Sequence, residues 1–156
     1  MTKTSLKKWR KRMEDRYLCK ARPIGTRKQW VTGFYAVLGE KTVIIVNEPE
    51  QFYDVDSGKN SSGNKIVEVI PKTVCWCTGA SDKNGKLIFE NDILSGHIDD
   101  EFPEDETRKR VVWHENGWCT NEPGCDYYEE LDDFDSENFE VIGNMIDNPE
   151  LLEVRL

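Results

Sequence analysis

Cys75 and Cys77 lie two apart in a run of strand-forming residues, Cys119 and Cys125 follow further on, and His97 and His114 complete the residues able to ligate a soft metal. Residues two apart in a strand face the same side, so the four thiolates could hold zinc if two strands brought them together. The spacing argues against this. Structural zinc sites are built on Cys-x₂₋₄-Cys knuckles, which neither Cys-x-Cys nor a five-residue gap supplies between tetrahedral ligands, and a buried cysteine is more commonly a small hydrophobe. Neither a metal nor a cofactor is expected.

Nucleophilic catalysis would need one of the five cysteines beside a base and an orienting acid. His97 follows a glycine near a strand end and His114 stands at a hairpin turn, both places where a solvent-facing histidine needs no further role. No phosphate-binding glycine pattern of the Walker or dinucleotide type is present. The carboxylates are spread along acidic runs, as on a solvated surface. An enzyme is therefore not expected.

The stretch Asp82-Lys83-Asn84-Gly85 begins like a calcium loop, but an EF-hand places its glycine at the sixth position, and Gly85 is the fourth. As a turn it needs no metal: Asp82 can accept from backbone amides, while Asn84 and Gly85 tolerate left-handed geometry. Leu87, Ile88 and Phe89 then start a return strand, and Glu90-Asn91-Asp92 makes a corner.

These residues must be positioned by mostly β structure. The segments 29–38 and 41–47 are rich in β-branched and aromatic residues around a turn at Gly39-Glu40, and 66–70 and 72–77 continue that character. Residues 54–65 read as a polar loop. A second hairpin is expected at Asn116-Gly117, between Val111–Trp113 and Trp118–Thr120. A short helical or irregular segment precedes a last strand at 139–146, and Asn148-Pro149-Glu150 reads as the start of a short C-terminal helix. Alternation puts Trp30, Phe34, Val43, Ile45, Val69, Val74, Ile88, Ile93, Val112 and Ile142 in the core of a single domain over about residues 29–147.

The N-terminus differs in kind. Leu6, Trp9, Met13 and Tyr17 recur at spacings of three, four and four, one face of a helix, with Lys7, Lys8, Arg10, Lys11, Arg12 and Arg16 around it. Residues 1–28 carry eleven bases against two acids, and the other 128 residues carry ten against twenty-eight, so an arm of +9 joins a body of −18. The division predicted is a basic amphipathic helical arm, 1–28, closed by Pro23 and Gly25, followed by a β-rich domain, 29–156. No apolar run is long enough to cross a bilayer and the first residues lack a signal peptide's apolar segment, so a cytoplasmic protein with reduced thiols is expected.

Thr73-Val74, Thr78-Gly79, Asp82 to Lys86, Ile88 to Glu90 and Asp92-Ile93, followed by Glu140 to Asn144 and Asn148 to Leu152, form two separated blocks in a fixed order. In these blocks the chain resembles the YopX proteins of bacteriophages and prophages, over roughly residues 30–155. Asn91 stands where the family usually has glycine, and Cys77 where an aromatic is common. The resemblance implies a mainly β fold with minor α, containing an SH3-like barrel element, and no catalytic residues; Asp82, Asn84, Gly85 and Asp92 become structural turn residues of the family motif. The function expected is a non-enzymatic protein-binding or assembly module with a phage or host protein as partner, forming a homo-oligomer. Its contact residues would be Leu6, Lys7, Lys8, Trp9, Arg10, Lys11, Arg12 and Met13. The alternative is nucleic-acid binding through the same arm, disfavoured by repulsion from the acidic body. No membrane association is expected.

Overall fold

The computed structural model describes residue 2 and residues 14–25, 29–99 and 101–153, with backbone alone for 47–54. The expected arm helix, Leu6 to Met13, lies outside the described residues; Glu14 and Asp15 have helical backbone. The arm does not extend to residue 28. Leu18–Ala21 is strand β1, paired with β2 on one side and β5 on the other, and three of its four side chains are buried. Beyond it Pro23 bridges Val69, and the Ile24 amide donates to the Glu68 carbonyl (3.0 Å), so the segment expected to close an arm lies against the end of β4.

The strands that follow are β2 (Val31–Leu38), β3 (Lys41–Asp54), β4 (Lys59–Glu68), β5 (Cys75–Ser81), β6 (Leu87–Phe89), β7 (Asp92–Gly96), β8 (Thr107–His114), β9 (Gly117–Asn121), β10 (Glu129–Glu130) and β11 (Phe139–Asn144), with helix α1 at Asp133–Asn138. All pairings are antiparallel, in the orders β4-β3-β2-β1-β5-β6 and β10-β9-β8-β7-β11. The fold is mainly β with minor α, as expected. Among the described strands, however, β4 and β6 are open ends of one sheet, so the SH3-like element does not appear as a closed barrel.

The expected single domain is instead two compact units, one spanning Arg16–Trp76 and the other made of Met1–Asp15 and Cys77–Leu156, with β5 starting in the first and ending in the second. Each has its own core. Cys19, Ala21, Ile44 and Val69 form the first, with Val31, Val67 and Val74 packed on it; Ile88, Leu94, Val111 and Phe139 form the second, with Trp118, Leu131 and Val141 against it.

Val43, Val69, Ile88 and Ile93 are buried as predicted; Trp30, Ile45, Val74, Val112 and Ile142 are half-buried, and Phe34 is exposed. The inward position of β2 is Gly33, where a Cβ would stand 2.0 Å from the Ile45 carbonyl oxygen, so alternation turns Phe34 outward. In β3 and β8 the fully buried residues are Ile44 and Val111 rather than Ile45 and Val112. Unbroken apolar runs carry no alternation from which to choose a face.

Residues 54–65 are not a loop. β3 and β4 pair from Pro49↔Asn64 to Asp54↔Lys59 and turn at Val55–Gly58, with Gly58 at φ 65°. The strand 59–65, polar at successive positions and exposed at nearly all of them, has the composition of a loop. At the β8–β9 hairpin the left-handed residue is Glu115 (φ 55°), and Gly117 is already paired with His114. The C-terminal turn is a 3₁₀ helix, Pro149–Leu152, which Asn148 does not cap with its side chain.

Candidate functional site

The motif shared with the resembled family is a hydrogen-bonded corner. Asp82 is buried, and its Oδ1 accepts from the amides of Asn84 and Lys86, both at 2.9 Å, while Oδ2 accepts from the amide of Val141 at 2.9 Å. Gly85 has φ 81°, the left-handed geometry expected of it, and the Asp82 amide donates to the Lys86 carbonyl (2.7 Å). Asn84 turns its side-chain amide to Glu140 (3.2 Å) and keeps a negative φ. Asp82 thereby ties the turn between β5 and β6 to β11, fifty-nine residues on. With both carboxylate oxygens occupied by amides, the corner is a structural turn.

Asp92 does the same at the next corner: its Oδ2 accepts from the Phe89 amide (2.8 Å), and Asn91 takes φ 68°, as the position usually held by glycine requires. The Asn91 amide donates to the Val111 carbonyl (2.9 Å) and its carbonyl accepts from Met145 (2.8 Å). Sequence reasoning missed a further polar node. Lys109 and Asp135 form a buried ion pair, the ammonium also standing 4.3 Å from the centre of the Phe139 ring. Asp135 is at the same time one half of a capping box with Asp132 at the start of α1. Parity gave a signal, since Lys109 shares the inward face of β8 with Val111.

The thiols are dispersed. Cys75 is held by a hydrogen bond to the Thr73 carbonyl (3.3 Å), Cys77 accepts from the Gly79 amide (3.4 Å), and Cys119 and Cys125 are half-buried. Among the described residues no three His, Cys, Asp or Glu side chains are gathered as a metal site. Burial raises the Cys19 thiol to about 11, helped by Cys75; burial and then Glu130 and Glu115 raise Cys119. A raised pKa suppresses the thiolate and so opposes nucleophilic reactivity.

The histidines are separate too. His97 Nδ1 is 3.2 Å from the Asp105 carbonyl, and the His114 ring stacks on Tyr128 with centroids 3.8 Å apart. A cleft of about 380 Å³ lies along Glu106, Arg108, Glu122 and Leu151. Arg108 there is engaged by Glu106 and by the Leu151 carbonyl (3.1 Å), and Glu106 is held below the usual carboxylate range by hydrogen bonds from Arg108 and Ser95.

The first unit has a different character. Leu18, Phe34, Ile45 and Ile66 are successive cross-strand neighbours from β1 to β4 and therefore share one face. Leu18 is buried, but Phe34 and Ile66 are 41% and 56% exposed. This row ends at β4, which among the described residues has a strand on one side only. Among the described residues no helix is long and apolar enough to cross a membrane.

The family model described as YopX protein matches residues 37–153. The crystal structure of protein EF1440 from Enterococcus faecalis is similar in fold, with a TM-score of 0.51, 21% identity, and coverage of 86% of this chain and 96% of that one. No curated protein matches.

Proposed function

The chain belongs to the YopX family, and on that premise we propose that it is a phage- or prophage-encoded, non-enzymatic protein-binding and assembly module of the bacterial cytoplasm. One observation carries the reading: the apolar row Phe34–Ile45–Ile66 runs out to β4 on an open sheet edge. A strand with unpaired peptide groups on one side is a template for a further strand, and apolar side chains beside it give the added segment something to pack on. Among the described residues the outer edge is unpaired over 59–67, while Ile24 and Arg22 take the peptide groups of Glu68 and Ile70. Lys59 and Lys65 stand along it. Its occupant is an extended segment of a phage or host protein with apolar residues at alternate positions and acidic residues between them. The N-terminal helix, through Leu6, Trp9 and Met13, is a second contact element and joins copies of the chain into a homo-oligomer.

Affinity capture from host or infected cells supplies the partner, and the purified pair then gives the test. Amides within 59–67 should gain hydrogen-exchange protection on binding, and Phe34→Ser with Ile66→Lys should weaken the complex about tenfold or more. A partner that binds with neither effect sinks the proposal. Retention of DNA at physiological salt, abolished by reversing Lys7, Lys8 and Arg10, would put the nucleic-acid reading in its place.

A further inference from the structure

Strand β4 carries a glycine that the fold does not explain. Gly63 lies outside the left-handed region, and a Cβ there would meet nothing within 4 Å. At Gly33, by contrast, the Ile45 carbonyl oxygen excludes a Cβ, and Gly58 has the left-handed backbone of a turn. A glycine inside a strand weakens it and often marks a place where another group comes close. No described residue fills that place at Gly63, which stands midway along the unpaired edge.

The edge also has a definite hydrogen-bonding phase. The Ile24 amide donates to the Glu68 carbonyl, so Glu68 turns its peptide groups outward, while the next amide, that of Val69, donates inward to Thr42 (3.0 Å). Strand residues alternate in this respect, which turns Ile66, Asn64, Ser62 and Asn60 outward and leaves Lys59, Ser61, Gly63, Lys65 and Val67 turned to β3. The register shift between Ile45 and Pro49 places its extra residues in β3, so the alternation of β4 is unbroken. Pro49, with no amide to give, accordingly stands opposite Asn64, in a pair that exchanges no bonds. An added strand therefore bonds at Asn60, Ser62, Asn64 and Ile66, and brings its side chains closest at Lys59, Ser61, Gly63 and Lys65. Arg22 to Ile24 already runs antiparallel along the end of this line, from Ile70 to Glu68. On the face of Gly63, an aromatic ring fills the bare position and lies within reach of the ammonium groups of Lys59 and Lys65, both exposed. We propose that the edge accepts its phage or host partner in one antiparallel register: an aromatic side chain over Gly63, carboxylates beside Lys65 and Lys59, and an apolar side chain opposite Ile66. The proposal rests on the preceding reading that β4 receives a strand, and it adds the direction, the register and the residue that selects the partner.

The test uses the full chain and an acetylated octapeptide in the order valine, glutamate, threonine, tyrosine, three threonines, glutamate, which lies opposite Ile66 through Lys59. Saturable binding with a Kd of about 0.1 mM is expected, and the peptide of reversed order should bind about tenfold more weakly. Exchange of the Asn60, Ser62, Asn64 and Ile66 amides, followed by NMR, should slow on binding, while that of Ser61, Gly63 and Val67 should not change. Gly63→Val, which its open surroundings accommodate, should remove the advantage of tyrosine over alanine in the peptide. Lys59→Glu with Lys65→Glu should shift the preference to a peptide with lysines in place of its glutamates. Equal binding of the forward and reversed peptides, an undiminished preference for tyrosine in Gly63→Val, or no binding overturns the proposal. A captured partner that protects the edge but binds Gly63→Val as well as the parent overturns this inference alone; one that leaves the edge unprotected removes the proposed function as well.

Discussion

Replacing Asp82 by alanine removes the acceptor of three amides at once. Those of Asn84 and Lys86 belong to residues with exposed side chains and can recruit water, so their loss costs little beyond turn geometry, about 0.5–1.5 kcal/mol each. The Val141 amide is part-buried and is left without a partner, a loss of about 1–3 kcal/mol. Because the three bonds form one network the losses do not add fully, and a net destabilisation of about 2–4 kcal/mol is expected. In a chain of 156 residues, 1 kcal/mol corresponds to about 2–4 °C, so the melting temperature should fall by about 5–15 °C. Asp82→Asn keeps an oxygen for the turn but presents an amide nitrogen to Val141, and should lie between alanine and the parent. Scanning calorimetry over both units, with and without millimolar calcium, is the assay. A melting temperature for Asp82→Ala within a degree or two of the parent would refute the reasoning. So would a calcium-dependent rise in the parent, since Oδ1 and Oδ2 are committed to amides.

Lys109→Met should cost about 3–5 kcal/mol in urea unfolding by stranding the Asp135 carboxylate, and adding Asp135→Asn should restore part of that loss; additive losses would show that the two residues are not coupled. Gly85→Val should cost about 1–3 kcal/mol in thermal unfolding from backbone strain alone, because its φ is 81° and a Cβ there meets nothing within 4 Å. Glu106 has a depressed folded pKa, so it contributes stability above its ordinary value of 4.5 that is lost as pH falls through the lower folded value; Glu106→Gln should therefore be less stable than the parent near neutrality and converge with it in acid. Cys19, fully buried with a thiol raised to about 11, should react with a thiol reagent at pH 8 only on unfolding, while the half-buried Cys125 reacts in the folded chain and the half-buried Cys119, its thiol also raised, reacts there more slowly; mass spectrometry of the modified protein reads the order.

The family motif was legible in the sequence because it is local. An aspartate two and four residues from the amides it accepts, a glycine with no Cβ to strain, and an asparagine at a left-handed corner specify their turns through a few consecutive bonds, and Asp82, Gly85, Asn91 and Asp92 all stand as their types require. The mainly β character was legible too, since β-branched and aromatic runs between turn residues bias the backbone whatever they pack against. The bond from Asp82 to Val141 could not be read, because it joins strands that only the sheet order places together. β1 was hidden for the same reason: Leu18–Ala21 is four residues long, and what makes it a strand is β2 on one side and β5 on the other. The faces were undetermined within the apolar runs Val43–Val46 of β3 and Val111–Trp113 of β8, until Gly33 and the pairing of Leu94 with Lys109 fixed which side was closed. Sequence determines what each short segment can bond with its own neighbours; burial, strand partners and facing charges depend on which distant segment arrives, a choice made by packing the whole chain.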